Sequence, residues 1–78
     1  MQDYMIFIAG THFGEPSKYL PDLPTVSVLV EENPRIWKSL TVYKINVLGR
    51  SYNVAGEFQP TDQEVKKALA MYQVDPTD

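Results

Sequence analysis

Residues 4 to 10 read YMIFIAG, so a strand here carries Ile6 and Ile8 on one side and Met5, Phe7 and Ala9 on the other. Both of its faces are apolar, and both must be covered, which calls for a place inside a sheet with material above and below it. That is a severe demand on a chain of 78 residues. A single domain spanning 1–78 is all this length allows, and one so small buries only about 60% of the surface its unfolded chain exposes. There is no cysteine, so neither disulfides nor a thiolate zinc site reinforces the core.

The residues that can supply the rest of a sheet lie at 25–59. TVSVLVEE at 25–32 alternates Val26, Val28 and Val30 with Ser27, Leu29 and Glu31, the pattern of a half-buried strand. Asn33-Pro34 then marks a turn. In LTVYKINVLGRSYNVAGEF, residues 40–58, strand-favouring residues flank Gly49-Arg50, which suits a two-residue hairpin turn with glycine first. That turn pairs Val47 with Tyr52, Ile45 with Val54, Tyr43 with Gly56 and Thr41 with Phe58, an apolar side that excludes a one-residue slip. The other side, with Asn46 opposite Asn53, Lys44 opposite Ala55 and Val42 opposite Glu57, reads as largely solvated. Strands near 25–32, 37–48 and 51–59 therefore form an antiparallel meander.

PTDQEVKKALAMYQV at 60–74 carries a strong helix start. Thr61 as N-cap and Glu64 three residues on make a capping box, with Pro60 and Val65 placed for a hydrophobic staple. Val65, Ala68, Leu69 and Tyr72 form a stripe that suits the Tyr43, Ile45, Val47, Tyr52, Val54 and Phe58 face. Asp75-Pro76 closes the helix, which spans 61–74. The expected fold class is α+β: a small antiparallel sheet, made of a three-stranded meander plus an N-terminal strand, with one C-terminal helix on one face.

One helix covers one face of the first strand, and the other needs a second cover. The proline-rich segment GTHFGEPSKYLPDLP, 10–24, reads as a loop whose Phe13, Tyr19, Leu20 and Leu23 either fold back across the sheet or wait for a partner.

No group of residues spells out a reaction. His12 is the sole histidine, and with Glu15 it makes a His-x-x-Glu that lacks the further ligands of a metal site. No cysteine is present, and Ser17, Ser27, Ser39 and Ser51 lack a nucleophile setting. Glu31 and Glu32 are adjacent along a strand, so their side chains diverge. Gly10, Gly14, Gly49 and Gly56 are too dispersed for a phosphate cradle. The expectation is a non-enzyme with no cofactor and no metal.

Interface chemistry remains. Trp37 and Arg35 flank the Asn33-Pro34 turn, His12, Phe13, Tyr19 and Leu20 lie in the 10–24 segment, and Met71 falls off the helix stripe. Tryptophan, tyrosine and arginine are the usual anchors of protein contacts. These seven residues are the expected partner-binding set, the partner being another protein or a second copy of the chain, as for an inhibitor or adaptor encoded by a phage or other mobile element. The competing reading is single-stranded nucleic acid on the sheet through Arg35, Trp37, Lys38, Lys44 and Arg50. A net charge of -3 weighs against it. The start carries no basic residue before an apolar run of six and resembles neither a signal peptide nor a membrane span, which points to a cytoplasmic protein.

Overall fold

A computed structural model describes residues 1–77. Strands β1 (Gln2–Ile8), β2 (His12–Tyr19), β3 (Thr25–Glu32), β4 (Arg35–Val47) and β5 (Arg50–Gly56) are followed by one helix, α1 (Asp62–Met71). The five strands make one mixed sheet in the order β2-β1-β5-β4-β3. The pairs β1–β2, β3–β4 and β4–β5 are antiparallel, whereas β5 runs parallel to β1, with Tyr4 beside Asn53 and Phe7 beside Gly56. The wholly antiparallel sheet expected from the sequence is thus corrected to a mixed one. The doubly apolar β1 takes an interior place, and the last strand of the meander reaches it in the parallel sense.

Residues 12–19, read from the sequence as part of a loop, form β2. Pro16 and Gly14 hide this strand from a propensity reading, but an edge position tolerates a proline. Between Ile6 facing Glu15 and Phe7 facing Phe13 the register shifts, and Gly14, at φ 70, occupies the bulge. A Cβ at Gly14 would stand 2.1 Å from the Cβ of Ala68, so the bare backbone there is what lets α1 lie so close to the sheet.

The central hairpin also differs from the expected one. Val47 pairs with Arg50, leaving Leu48 and Gly49 as the turn at φ 56 and 75. Two positive φ values in succession are the type I′ geometry, whose twist matches that of the strands. The turn sits one residue earlier than Gly49-Arg50, and each partner moves by two: Ile45 faces Tyr52, and Tyr43 faces Val54. A shift of two preserves the face, so Ile45, Val47, Tyr52 and Val54 still share one cluster, joined there by Met5, Phe7, Val65, Ala68 and Val74. Phe58 lies beyond the end of β5 and is 64% exposed, so it is not part of this core.

The opposite face is not solvated as expected. Asn53 and Ala55 are buried, and Tyr4, Ile6, Ile8, Val26, Leu40 and Ala55 build a second cluster, with Tyr19, Leu23, Val28, Val30 and Val42 packed against it. Residues of both edge strands meet in that cluster, so the sheet curls until its two edges approach each other. The Tyr19 hydroxyl on β2 donates to the Ser27 carbonyl on β3 at 3.3 Å. The Tyr4 hydroxyl donates to the Leu20 carbonyl at 3.0 Å and accepts the Leu23 N–H at 3.4 Å, tying the 20–24 connection over the end of the cluster. The second cover comes from within: mostly β3, with Tyr19 and Leu23, while Phe13 packs on the helix side and Leu20 stays exposed.

Thr61 and Glu64 form the expected capping box, and the helix ends at Met71, three residues before the expected end. The chain then runs back across the sheet. Val74 is buried in the first cluster, the Asp75 N–H donates to the Asp3 carboxylate at 3.0 Å, and the Thr77 N–H donates to the Ser51 carbonyl at 2.8 Å.

Candidate functional site

The parallel strands β1 and β5 end side by side, and the chain leaves their two ends in different directions. After Ile8 it turns tightly through Thr11, whose N–H donates to the Ile8 carbonyl at 3.2 Å, into β2. After Gly56 it leaves the sheet through Glu57, Phe58 and Pro60 to reach α1. The space between is a cavity of about 390 Å³, bounded by these two segments, the start of β2, Glu64 and Tyr72. A crevice beyond the carboxyl ends of neighbouring parallel strands is where open sheets commonly place ligands.

Its walls are aromatic. Phe7, Phe13, Phe58 and Tyr72 line it, with Phe7 and Phe13 packed edge to face at 5.2 Å and 75°. Glu15, Glu57 and Glu64 also line it, and His12 is the single basic side chain among the described lining residues. Each carboxylate has a partner. Glu15 accepts from the His12 ring Nδ1 at 2.9 Å, which sets that nitrogen as the donor because an ionised carboxylate can only accept. Glu57 pairs with Lys38 at 2.9 Å, and Glu64 accepts the Thr61 N–H at 3.0 Å as half of the capping box.

A second exposed feature projects from the same end of the sheet, where Lys38 reaches Glu57. Only Thr41–Val47 of β4 pair with β5, so residues 35–40 continue as a two-stranded ribbon with β3. On this ribbon Trp37 faces Leu29 and is 59% exposed, and its neighbour Ile36, on the other face, is 44% exposed. Arg35 is exposed at its tip, beside the cis Asn33–Pro34 peptide.

The seven residues expected at an interface do not converge on one place. His12 and Phe13 line the cavity at the start of β2. Tyr19 and Leu20 lie at the far end of β2, where the Tyr19 ring packs edge-on to Tyr4 at 5.6 Å. Arg35 and Trp37 share the ribbon, and Met71 is exposed at the end of α1. The cations of the nucleic-acid reading are divided too: Lys38 is paired with Glu57, Lys44 lies 3.4 Å from Asp22, and Arg50 sits at the opposite end of β4 from Arg35. Sequence reasoning missed Glu57, Phe58, Glu64 and Tyr72 as neighbours of His12. The available signal was Gly56 and Pro60 bracketing Glu57 and Phe58, a pair better suited to leaving a sheet than to extending one.

One ionic contact lies outside both features. The Asp3 carboxylate takes a hydrogen bond from Lys18 across the β1–β2 pair and another from the Asp75 N–H. The Lys18 bond first, then the Asp75 bond, holds the Asp3 carboxyl below its ordinary value, and the same contact raises Lys18 above its own. Among the described residues no group of histidines and carboxylates is placed to hold a metal ion, and no helix is long and apolar enough to cross a membrane. Comparison with protein-family models, curated proteins and solved structures finds no match to this chain.

Proposed function

We propose that the protein is a small non-catalytic binding domain that acts in the cytoplasm by stoichiometric contact with another protein or with a second copy of itself, as an inhibitor or adaptor of the kind a phage or mobile element encodes. The supporting observation is the β3–β4 ribbon, which leaves the body of the sheet and presents Trp37 and Ile36 on its two faces with Arg35 at its tip. Exposed tryptophan beside arginine is the composition of an interface anchor, and Arg35, Ile36 and Trp37 belong to neither hydrophobic cluster. Trp37 is also the only tryptophan, so its fluorescence reports its own burial.

The test combines sedimentation of the pure protein with capture from an extract of its native host, using the wild type and Trp37→Ser. The wild type is expected as a dimer or in a defined complex, and the variant is expected to lose that contact at unchanged circular dichroism. A monomer that captures no protein would overturn the reading. If that monomer instead bound a single-stranded oligonucleotide with steep salt dependence, the function would pass to the alternative, a sheet surface using Arg35, Trp37, Lys38, Lys44 and Arg50.

A further inference from the structure

The cavity at the ends of β1 and β5 has a chemistry unlike that of the ribbon, and the protein contact assigned to Trp37 does not use it. We propose that it binds an organic ammonium ion carried on an apolar stem. Two independent features select that class. The walls include the rings of Phe7, Phe13, Phe58 and Tyr72, and aromatic rings attract cations through their quadrupole. Around these rings stand Glu15, Glu57 and Glu64, while no lysine or arginine is among the described lining residues. The bonds these glutamates already make occupy one oxygen each, and a carboxylate has about four acceptor positions, so each retains capacity for an incoming N–H donor.

A third observation comes from the chain itself. Lys67 on α1, which is not one of the lining residues, holds its Nζ 5.5 Å from the centroid of the Phe13 ring. An ammonium group therefore already engages one wall from outside. A ligand cation entering the cavity approaches the same ring and is repelled by Lys67, so the side chain acts as an internal competitor. The volume, about 390 Å³, lies in the range of small-ligand sites and admits a stem of the size of a phenyl or butyl group. Phe58, 64% exposed at the mouth, is the wall that such a stem would cover.

The ammonium can arrive on a free amine or on a lysine of a partner protein, and the experiment separates the two. Backbone amide resonances of the isotopically labelled protein are followed while phenethylammonium, 2-phenylethanol or phenylacetate is added, three probes of one size that differ in charge. Phenethylammonium is expected to shift Thr11, Phe13 and Phe58 saturably, with 2-phenylethanol at least about fivefold weaker and phenylacetate without effect, as the ring-plus-carboxylate setting requires. Phe58→Leu, which keeps apolar bulk and removes the ring, is expected to weaken the cation roughly two- to fivefold. Lys67→Met is expected to strengthen it. Both positions are exposed, and an undisturbed resonance pattern away from the cavity shows that each variant is folded. Nα-acetyl-lysinamide supplies the last arm: binding comparable to phenethylammonium assigns the site to a partner's lysine, and its failure beside a binding amine assigns it to a free amine. Equal affinity for the alcohol and the ammonium, shifts confined to other residues, or weaker binding by Lys67→Met would each overturn the proposal. Loss of the protein contact at Trp37 would leave all of these readouts unchanged, so the two readings fail separately.

Discussion

An alanine at position 14 would have to keep a φ of 70 and put its Cβ 2.1 Å from the Cβ of Ala68, a buried residue of α1. The left-handed backbone costs about 1–2 kcal/mol and the displaced helix about 1–3 more, so Gly14→Ala is expected to destabilise the fold by about 2–5 kcal/mol, read from the urea midpoint. Gly49→Ala is the control, since nothing lies within 4 Å of its Cβ position and only the backbone cost applies. Asp3 gives a second prediction at this scale. Its carboxyl is held below the ordinary value of 3.8, so the stabilisation it contributes is present above that pH and is lost as pH falls through the lowered folded-state value. Lys18, raised above 10.5, contributes fully below that pH and loses its share as pH rises through the raised value. Acid and alkaline titrations of the unfolding midpoint are expected to show both losses, and Asp3→Asn is expected to flatten both. A variant with unaltered pH profiles would remove Asp3 from the account.

At the scale of elements, the β4–β5 turn carries its own strain. Leu48 is 75% exposed and holds a φ of 56, a value that asparagine and glycine tolerate far better than leucine. Leu48→Asn creates the Asn-Gly pair that type I′ turns favour and is expected to raise stability by about 0.5–1 kcal/mol in chemical denaturation. The same leucine explains why the turn is misplaced when only the sequence is read. Positive φ is assigned to glycine first, which puts Gly49 at the leading position and Arg50 after it, whereas here Leu48 accepts the left-handed conformation. The face assignment is unaffected because the displacement is two residues in pairing, and Ile45, Val47, Tyr52 and Val54 carry the same alternation in either register. β2 is illegible for a different reason. Its Gly14 and Pro16 are poor strand formers suited to a bulge against α1 and to an edge, and both reasons lie in tertiary structure. The capping box is legible at once, because Thr61 and Glu64 satisfy each other within four residues.

For the whole molecule, β1 and β5 lie between two hydrophobic clusters, while residues 35–39 of β4 are exposed. Native-state hydrogen exchange is therefore expected to find the amides of Tyr4, Ile6, Val54 and Ala55 protected up to the global unfolding free energy, and those of residues 33–38 exchanging through local opening well below it. Uniform protection across the sheet would show that the ribbon is as tightly held as the body. The two-sided apolar pattern of β1 makes the need for a second cover readable from sequence, but not its source, because the curl that brings Tyr19 to Ser27 is a property of the assembled strands. The cavity is unreadable for a related reason: His12, Glu57, Glu64 and Tyr72 are brought together only by the parallel β1–β5 pairing, which no local signal encodes.

That curl has a consequence for how the protein behaves when crowded. An open five-stranded sheet exposes two rows of unsatisfied backbone groups, and each is a template on which another chain can polymerise. Here the Tyr19 hydroxyl on one edge strand reaches the Ser27 carbonyl on the other, and Pro16 breaks the donor row of β2. A foreign strand adding at that point would have to displace this contact. The sheet thus blunts its edges with side chains and a proline, without a closing ladder of hydrogen bonds between β2 and β3.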